Sequence, residues 1–117
     1  MKHFVFSVAA ALTLGLGAAS AQDYPNKDIQ GVIQWGAGGS TDTIMRSVTP
    51  HAEKELGAKV VLQNVTGGVG AIALNQVANA PADGYTLLMG AENPLIYKVM
   101  GLGKKDYDDF VPVSILA

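Results

Sequence analysis

Between Ile29 and Asp42 the chain passes from an apolar run into bare backbone and then into a helical pattern, and no other stretch limits the fold so strongly. The run is Ile29 to Trp35. Gly36-Ala37-Gly38-Gly39 follows, and helical periodicity begins at Ser40-Thr41-Asp42. Glycine has no Cβ, so a ligand can approach the main chain there. The first amides of a helix have no partner inside it, and the aligned peptide dipoles leave partial positive charge at that end. A turn of this kind holds an anion without a cationic side chain.

The same unit recurs. Ile29 to Trp35 reads as a strand covered on both faces, because it is apolar without clean alternation. Thr41 to Leu56 reads as a helix, with Ser40 or Thr41 as the N-cap oxygen and Asp42 in the first turn. Ile44, Val48, Ala52 and Leu56 are expected to form its buried stripe, and Gly57 its C-cap. Pro50 is expected to kink the axis near Arg46. Lys59 to Gln63 reads as a second strand. Asn64 to Gly70 is a second glycine-rich loop, and Ala71 to Asn79 a second helix offering Ile72, Leu74 and Val77 for burial. Pro81 and Asp83-Gly84 end it in a turn. Tyr85 to Met89 is a third strand and Gly90-Ala91-Glu92-Asn93 a third loop. Pro94 opens a short helix to about Met100. Val111 to Ala117 is expected to begin a fourth strand.

Strands alternating with helices make a parallel sheet with right-handed crossovers. The fold class is therefore α/β, a parallel sheet with flanking helices. All three strand-to-helix loops then fall at the carboxyl edge of the sheet, where open α/β sheets bind their ligands.

The chemistry available at that edge is narrow. The first loop offers the backbone of Gly38, Gly39, Ser40, Thr41 and Asp42 and two hydroxyls. The second offers Gly67 and Gly68, and the third Ala91. None of the three loops contains lysine, arginine or histidine. A Walker-type phosphate loop needs its lysine, so a triphosphate site is not supported. Gly68-Val69-Gly70-Ala71-Ile72-Ala73 fits G-x-G-x-x-A, which leaves a nucleotide- or dinucleotide-binding enzyme domain as the alternative reading. Ser40 has no neighbouring base, and His51 sits mid-helix as a surface residue, so nucleophilic catalysis lacks its parts. Asp42 is either a brace for its loop or a direct ligand contact, and Trp35 either packs on a ligand or fills the core. Asp106, Asp108 and Asp109 read as a solvated turn and not a metal cage. No cofactor, metal or catalytic residue is expected. The remaining guest is a small carboxylate held by main-chain donors and hydroxyls.

Four hydrogen bonds to a charged group supply roughly 6–12 kcal/mol gross. Association costs about 4–15 kcal/mol. One edge alone is marginal, and a second surface closing over the ligand is required for tight binding.

Composition sets the remaining bounds. With 49% hydrophobic and 15% charged residues the chain is globular, and the absence of cysteine removes disulfides and thiolate chemistry together. The formal net charge is −2 with acids and bases interspersed, which argues against nucleic acid as a partner. Met1-Lys2-His3, the apolar run from Phe4 to Gly17 and Ala19-Ser20-Ala21 have the form of a secretory signal, with cleavage expected after Ala21. The apolar run is shorter than the ~20 residues that span a bilayer.

Several segments together resemble the substrate-binding proteins of tripartite tricarboxylate transporters, the Bug family. They are Tyr24-Pro25 with Lys27-Asp28-Ile29, Val32 to Asp42 with Arg46, Val61-Leu62-Gln63-Asn64 with Gly67 to Gly70, Pro81 to Leu88, and Asp109-Phe110-Val111-Pro112-Val113. Trp35 stands where that family commonly has phenylalanine, and Gln34 where it commonly has proline. The resemblance implies a two-lobed periplasmic solute-binding protein that captures a small carboxylate and delivers it to membrane permease subunits. It implies that residues 22–117 are the N-terminal part of the first lobe, incomplete and without the second, and that Gly38 to Asp42 help hold a ligand carboxylate.

Overall fold

The structure, a computed structural model, describes residues 24–90 and 95–116. Strand β1 (Ile29–Ile33), helix α1 (Ser40–Leu56), β2 (Val60–Asn64), α2 (Ala71–Ala78), β3 (Thr86–Met89) and α3 (Leu95–Val99) follow one another along the chain. Single 3-10 turns occupy Gly68–Gly70 and Tyr107–Asp109. The expected signal segment 1–21 and residues Ala91, Glu92, Asn93 and Pro94 lie outside the described residues.

The three strands form a parallel sheet in the order β2-β1-β3. The chain leaves β1 toward β2 and then returns past it to β3. Right-handed crossovers therefore place α1 and α2 on opposite faces. Covered on both faces, β1 carries the core: Ile29, Val32 and Ile33 are almost wholly buried. Gly31 at its centre is required by packing. A Cβ there would lie 2.7 Å from both Leu62 Cδ2 of β2 and Met89 Cε of β3. The glycine lets the two outer strands close over the middle one. A second cluster joins Ala71 and Leu74 of α2 to Tyr97 of α3, with Leu88 and Phe110 against it.

Four expectations change. The N-cap of α1 is Gly39, with no side-chain cap, so neither Ser40 nor Thr41 plays that part. Of the stripe Ile44, Val48, Ala52 and Leu56 only Val48 faces inward: Ile44 is 46% and Leu56 40% exposed. Each i,i+4 step advances about 400° around the axis, so a strict four-residue line drifts off one face by about 40° per turn. The inward side instead runs through Thr41, Met45, Val48, Thr49 and Glu53. On α2, Leu74 is buried and Val77 half-buried, while Ile72 is exposed. Finally, residues 111–116 form no strand, and Val111, Val113 and Ile115 are exposed. A strand needs a neighbour to take its backbone groups, and among the described residues this segment pairs with none. Helix α1 runs unbroken through Pro50, and Gly57 caps it in the left-handed conformation at φ 67°.

Candidate functional site

Parallel register decides where the loops go. Ile33 at the end of β1 pairs with Asn64 at the end of β2 and with Met89 at the end of β3. All three strands end in one row, so the segments that leave them start side by side. The strand order reverses at β1, which makes the exits of β1 and β3 the switch point where such sheets open a crevice.

The first loop is built around Asp42. Its carboxylate is buried in the first turn of α1 and accepts three hydrogen bonds. Gly38 N–H donates to Oδ2 at 2.9 Å, and Arg46 Nε and Asn64 Nδ2 both donate to Oδ1 at 2.9 Å. Asn64 Nδ2 also donates to the Trp35 carbonyl at 2.9 Å, and Arg46 Nη2 donates to Asn64 Oδ1 at 2.9 Å. The Arg46 bond, then the Gly38 amide and Asn64, hold the Asp42 pKa down to about 2 against the opposing effect of burial. The carboxylate stays ionised and keeps the loop shut upon the end of β2. Arg46 and Asn64 drew little weight in the sequence because their roles arise only when β2 lies beside β1.

This arrangement sorts the loop's donors. Gly38 N–H is taken by Asp42, and Gly39 N–H donates to Gly36 O at 3.2 Å. The first helical bond is Thr43 N–H to Gly39 O at 2.9 Å. The amides left by helix geometry for an external acceptor are those of Ser40, Thr41 and Asp42. Ser40 is exposed, whereas Thr41 and Asp42 are buried. Trp35 is half-buried and lends its carbonyl to the brace.

The second loop is drawn alongside by Val65 N–H, which donates to Ile33 O at 2.8 Å. Gly67 and Gly68 are exposed beside it. The chain from Gly67 to Gly70 makes a left-handed turn, with Val69 at φ 55°, an uncommon conformation for a β-branched residue. The Ile72 side chain folds back over this turn, and its Cδ1 stands 2.6 Å from where a Gly67 Cβ would be. Gly70 N–H donates to Gly67 O at 3.0 Å and Ala71 N–H to Gly68 O. A pyrophosphate on the G-x-G-x-x-A pattern would need those amides, and they already point inward.

Beneath both loops lies a pair whose connection the sequence reading did not foresee, although it marked Gln34 by itself. Gln34 is 1% exposed and Tyr97 is fully buried. Gln34 Nε2 donates to the Tyr97 hydroxyl at 2.6 Å. The signals at Gln34 were an amide side chain at the end of an apolar run and the departure from proline noted above; Tyr97 gave none. Of the predicted site residues, Trp35, Gly38, Gly39, Ser40, Thr41, Asp42, Gly67 and Gly68 share this edge, and Ala91 lies outside the described residues. Among the described residues no group of three acidic or histidine side chains stands close enough to hold a metal ion. Two open hollows, of about 340 and 450 Å³, lie at the opposite, amino edge, beside Glu53 and Lys59 and beside Tyr24 and Asp83 respectively.

Residues 44–117 match the tripartite tricarboxylate transporter family receptor, TctC. Protein BugT of Bordetella pertussis is 37% identical over 109 residues, covering 89% of this chain and 33% of that protein. A TctC solute binding protein from Polaromonas superposes with a TM-score of 0.67 at 30% identity, over 76% of this chain and 31% of that one. MatC from Rhodopseudomonas palustris, solved with bound malate, is 35% identical with a TM-score of 0.54, over 56% of this chain and 22% of that one. The chain spans about a third of the length of the curated relatives it matches.

Proposed function

Because the chain belongs to the tripartite tricarboxylate transporter receptor family, a family of substrate-binding receptors and not of enzymes, we propose that its carboxyl edge forms one wall of a site for a small carboxylate. The ligand carboxylate sits over the first turn of α1, against the amides and hydroxyls of Ser40 and Thr41 and the amide of Asp42. Gly67 and Gly68 form the adjoining rim, with Ile72 as its apolar part. Asp42 acts as the brace. The receptor works in the periplasm after cleavage following Ala21 and passes its solute to the membrane permease subunits of the transporter.

The observation that supports this reading is the row formed by Ile33, Asn64 and Met89. It brings a helix N-terminus and a glycine turn to one rim, where Arg46 is already paired with Asp42 and Asn64. Bound malate in MatC supports a carboxylate as the guest.

Titration of the ¹⁵N-labelled chain with malate tests it. The expected result is millimolar binding with shifts confined to the amides of Gly38 to Asp42 and Thr66 to Ile72, since one wall alone is marginal by the arithmetic given earlier. Shifts confined to the amino edge, or a response to NAD in place of malate, would overturn the reading.

A further inference from the structure

We infer that Gln34 is the positioning residue of this edge: it sets the distance between the second loop and the exit of β3 from below, and thereby the shape of the site above. The inference rests on the carboxylate reading for its ligand readout and on the geometry alone for the rest.

Gln34 directly follows β1, at the switch point. Its backbone N–H donates to Met89 O at 3.3 Å, and its side chain then turns down into the molecule. There it fills space that two glycines leave open. A Cβ at Gly90 would stand 1.7 Å from Gln34 Oε1 and 2.6 Å from its Cδ. A Cβ at Gly70 would stand 2.6 Å from Gln34 Nε2 and 2.8 Å from the Tyr97 hydroxyl. One amide therefore touches the exit of β1, the second loop, the exit of β3 and, through Tyr97, α3.

A buried amide is costly unless hydrogen-bonded, so this one holds its orientation through its bond to Tyr97. Packed interiors transmit small displacements and do not absorb them. The second loop cannot move relative to the exit of β3 without displacing Gln34. On this account Gly90 is a glycine because it seats a side chain from within, and Gly70 for that reason as well as for its φ of 92°; their freedom from a Cβ is not for the ligand. Gln34 does not touch the carboxylate. It acts through Gly70 and the rim at Gly67 and Gly68.

Four variants of the full chain test this: Tyr97→Phe, Gln34→Ala, Gly90→Ala, and Gly90→Ala combined with Gln34→Ala. Gly90 does not occupy the left-handed region, so alanine there meets only the Gln34 side chain. Tyr97→Phe removes one hydroxyl and keeps the ring. It is expected to speed amide exchange at Gly70 to Ala73 roughly two- to tenfold, to weaken the malate response by a similar factor, and to leave exchange at Lys54 to Ala58 unchanged. Gly90→Ala is expected to lower the melting midpoint sharply, and adding Gln34→Ala to restore much of it. If Gly90→Ala melts like the wild type, or the double variant is no better than Gly90→Ala, the seat does not exist. If Tyr97→Phe leaves exchange in the second loop unchanged, or lowers the midpoint with the malate response intact, the positioning role is overturned. A wild-type chain indifferent to malate would remove the carboxylate reading, and the exchange and rescue results would still decide the role of Gln34.

Discussion

Asn64 and Asp42 are joined at 2.9 Å, Nδ2 to Oδ1, and this bond closes the first loop onto the end of β2. The same Nδ2 holds the Trp35 carbonyl, so one amide ties a helix N-terminus, a loop and two strands. Asn64→Asp keeps the shape and removes the donor. It also sets a second carboxylate against Asp42. Amide exchange at Gly38 and Ser40 is expected to rise roughly tenfold or more, the scale of a lost bond to a charged group. The malate response should fall with it. Exchange rates equal to wild type would show that Arg46 alone holds the loop.

The ionised state of Asp42 gives the brace a pH dependence. In the folded chain Asp42 titrates at about 2, against an ordinary value of 3.8. The folded form binds its proton less readily, so the stabilisation is fully present above the ordinary range. It is lost as pH falls from about 4 toward 2. Thermal melts of wild type and Asp42→Asn at pH 7, 4 and 2 check this. The variant should melt lower at pH 7, and the gap should narrow with acid. Glu53, Asp83, Asp106 and Asp109 are also shifted down, chiefly by backbone amides for Glu53, Asp83 and Asp109 and by Lys98 for Asp106. Their loss adds to the acid sensitivity of both proteins, which is why the difference between the two carries the test.

The end of α1 offers a purely backbone test. Gly57 adopts φ 67° and its N–H caps the Glu53 carbonyl. No atom lies within 4 Å of a Cβ built there, so alanine meets strain and not a clash. Gly57→Ala should cost about 1–2 kcal/mol, the penalty of the left-handed region for an L side chain. Each kcal/mol lowers the melting midpoint of a domain of this size by roughly 4–8 °C. A midpoint within a degree of wild type would contradict the cap geometry.

How far the chain could be read in advance depended on the range of the interaction involved. Periodicity and glycine placement located β1, α1, β2, α2 and β3 to within a residue or two, because those signals are local. The common rim of the loops followed from parallel pairing and needed no side-chain detail. What escaped was set by contacts between distant segments. Gln34 and Tyr97 are 63 residues apart, and nothing near either one announces the other. The apolar run at 111–116 has strand composition, but strand composition does not supply a neighbour. The stripe on α1 failed for a geometric reason, since a line of fourth residues spirals away from any flat sheet. Asp42 could be read as either brace or ligand contact, and only the placement of Arg46 and Asn64 around it favours the brace.

The amino edge supplies the control for every experiment on the carboxyl edge. Tyr24 donates its hydroxyl to the Gly84 carbonyl at 2.7 Å, and its ring lies 5.0 Å from that of Tyr85. Lys27 Nζ stands 4.2 Å over the Tyr85 ring and 3.3 Å from Asp83 Oδ2. These contacts latch the lead-in of the chain to the turn before β3. A five-residue strand is about 17 Å long, so the latch and the loop rim sit at opposite ends of it. Tyr24→Phe keeps the ring contact and loses one exposed hydrogen bond, worth about 0.5–1 kcal/mol. Its expected effect is a melting midpoint lower by a few degrees, with malate shifts and second-loop exchange unchanged, because sites so far apart act independently. Were Tyr24→Phe to weaken the malate response as Asn64→Asp does, loss of overall stability would explain both. Unequal responses at equal stability would tie the binding effect to the loops.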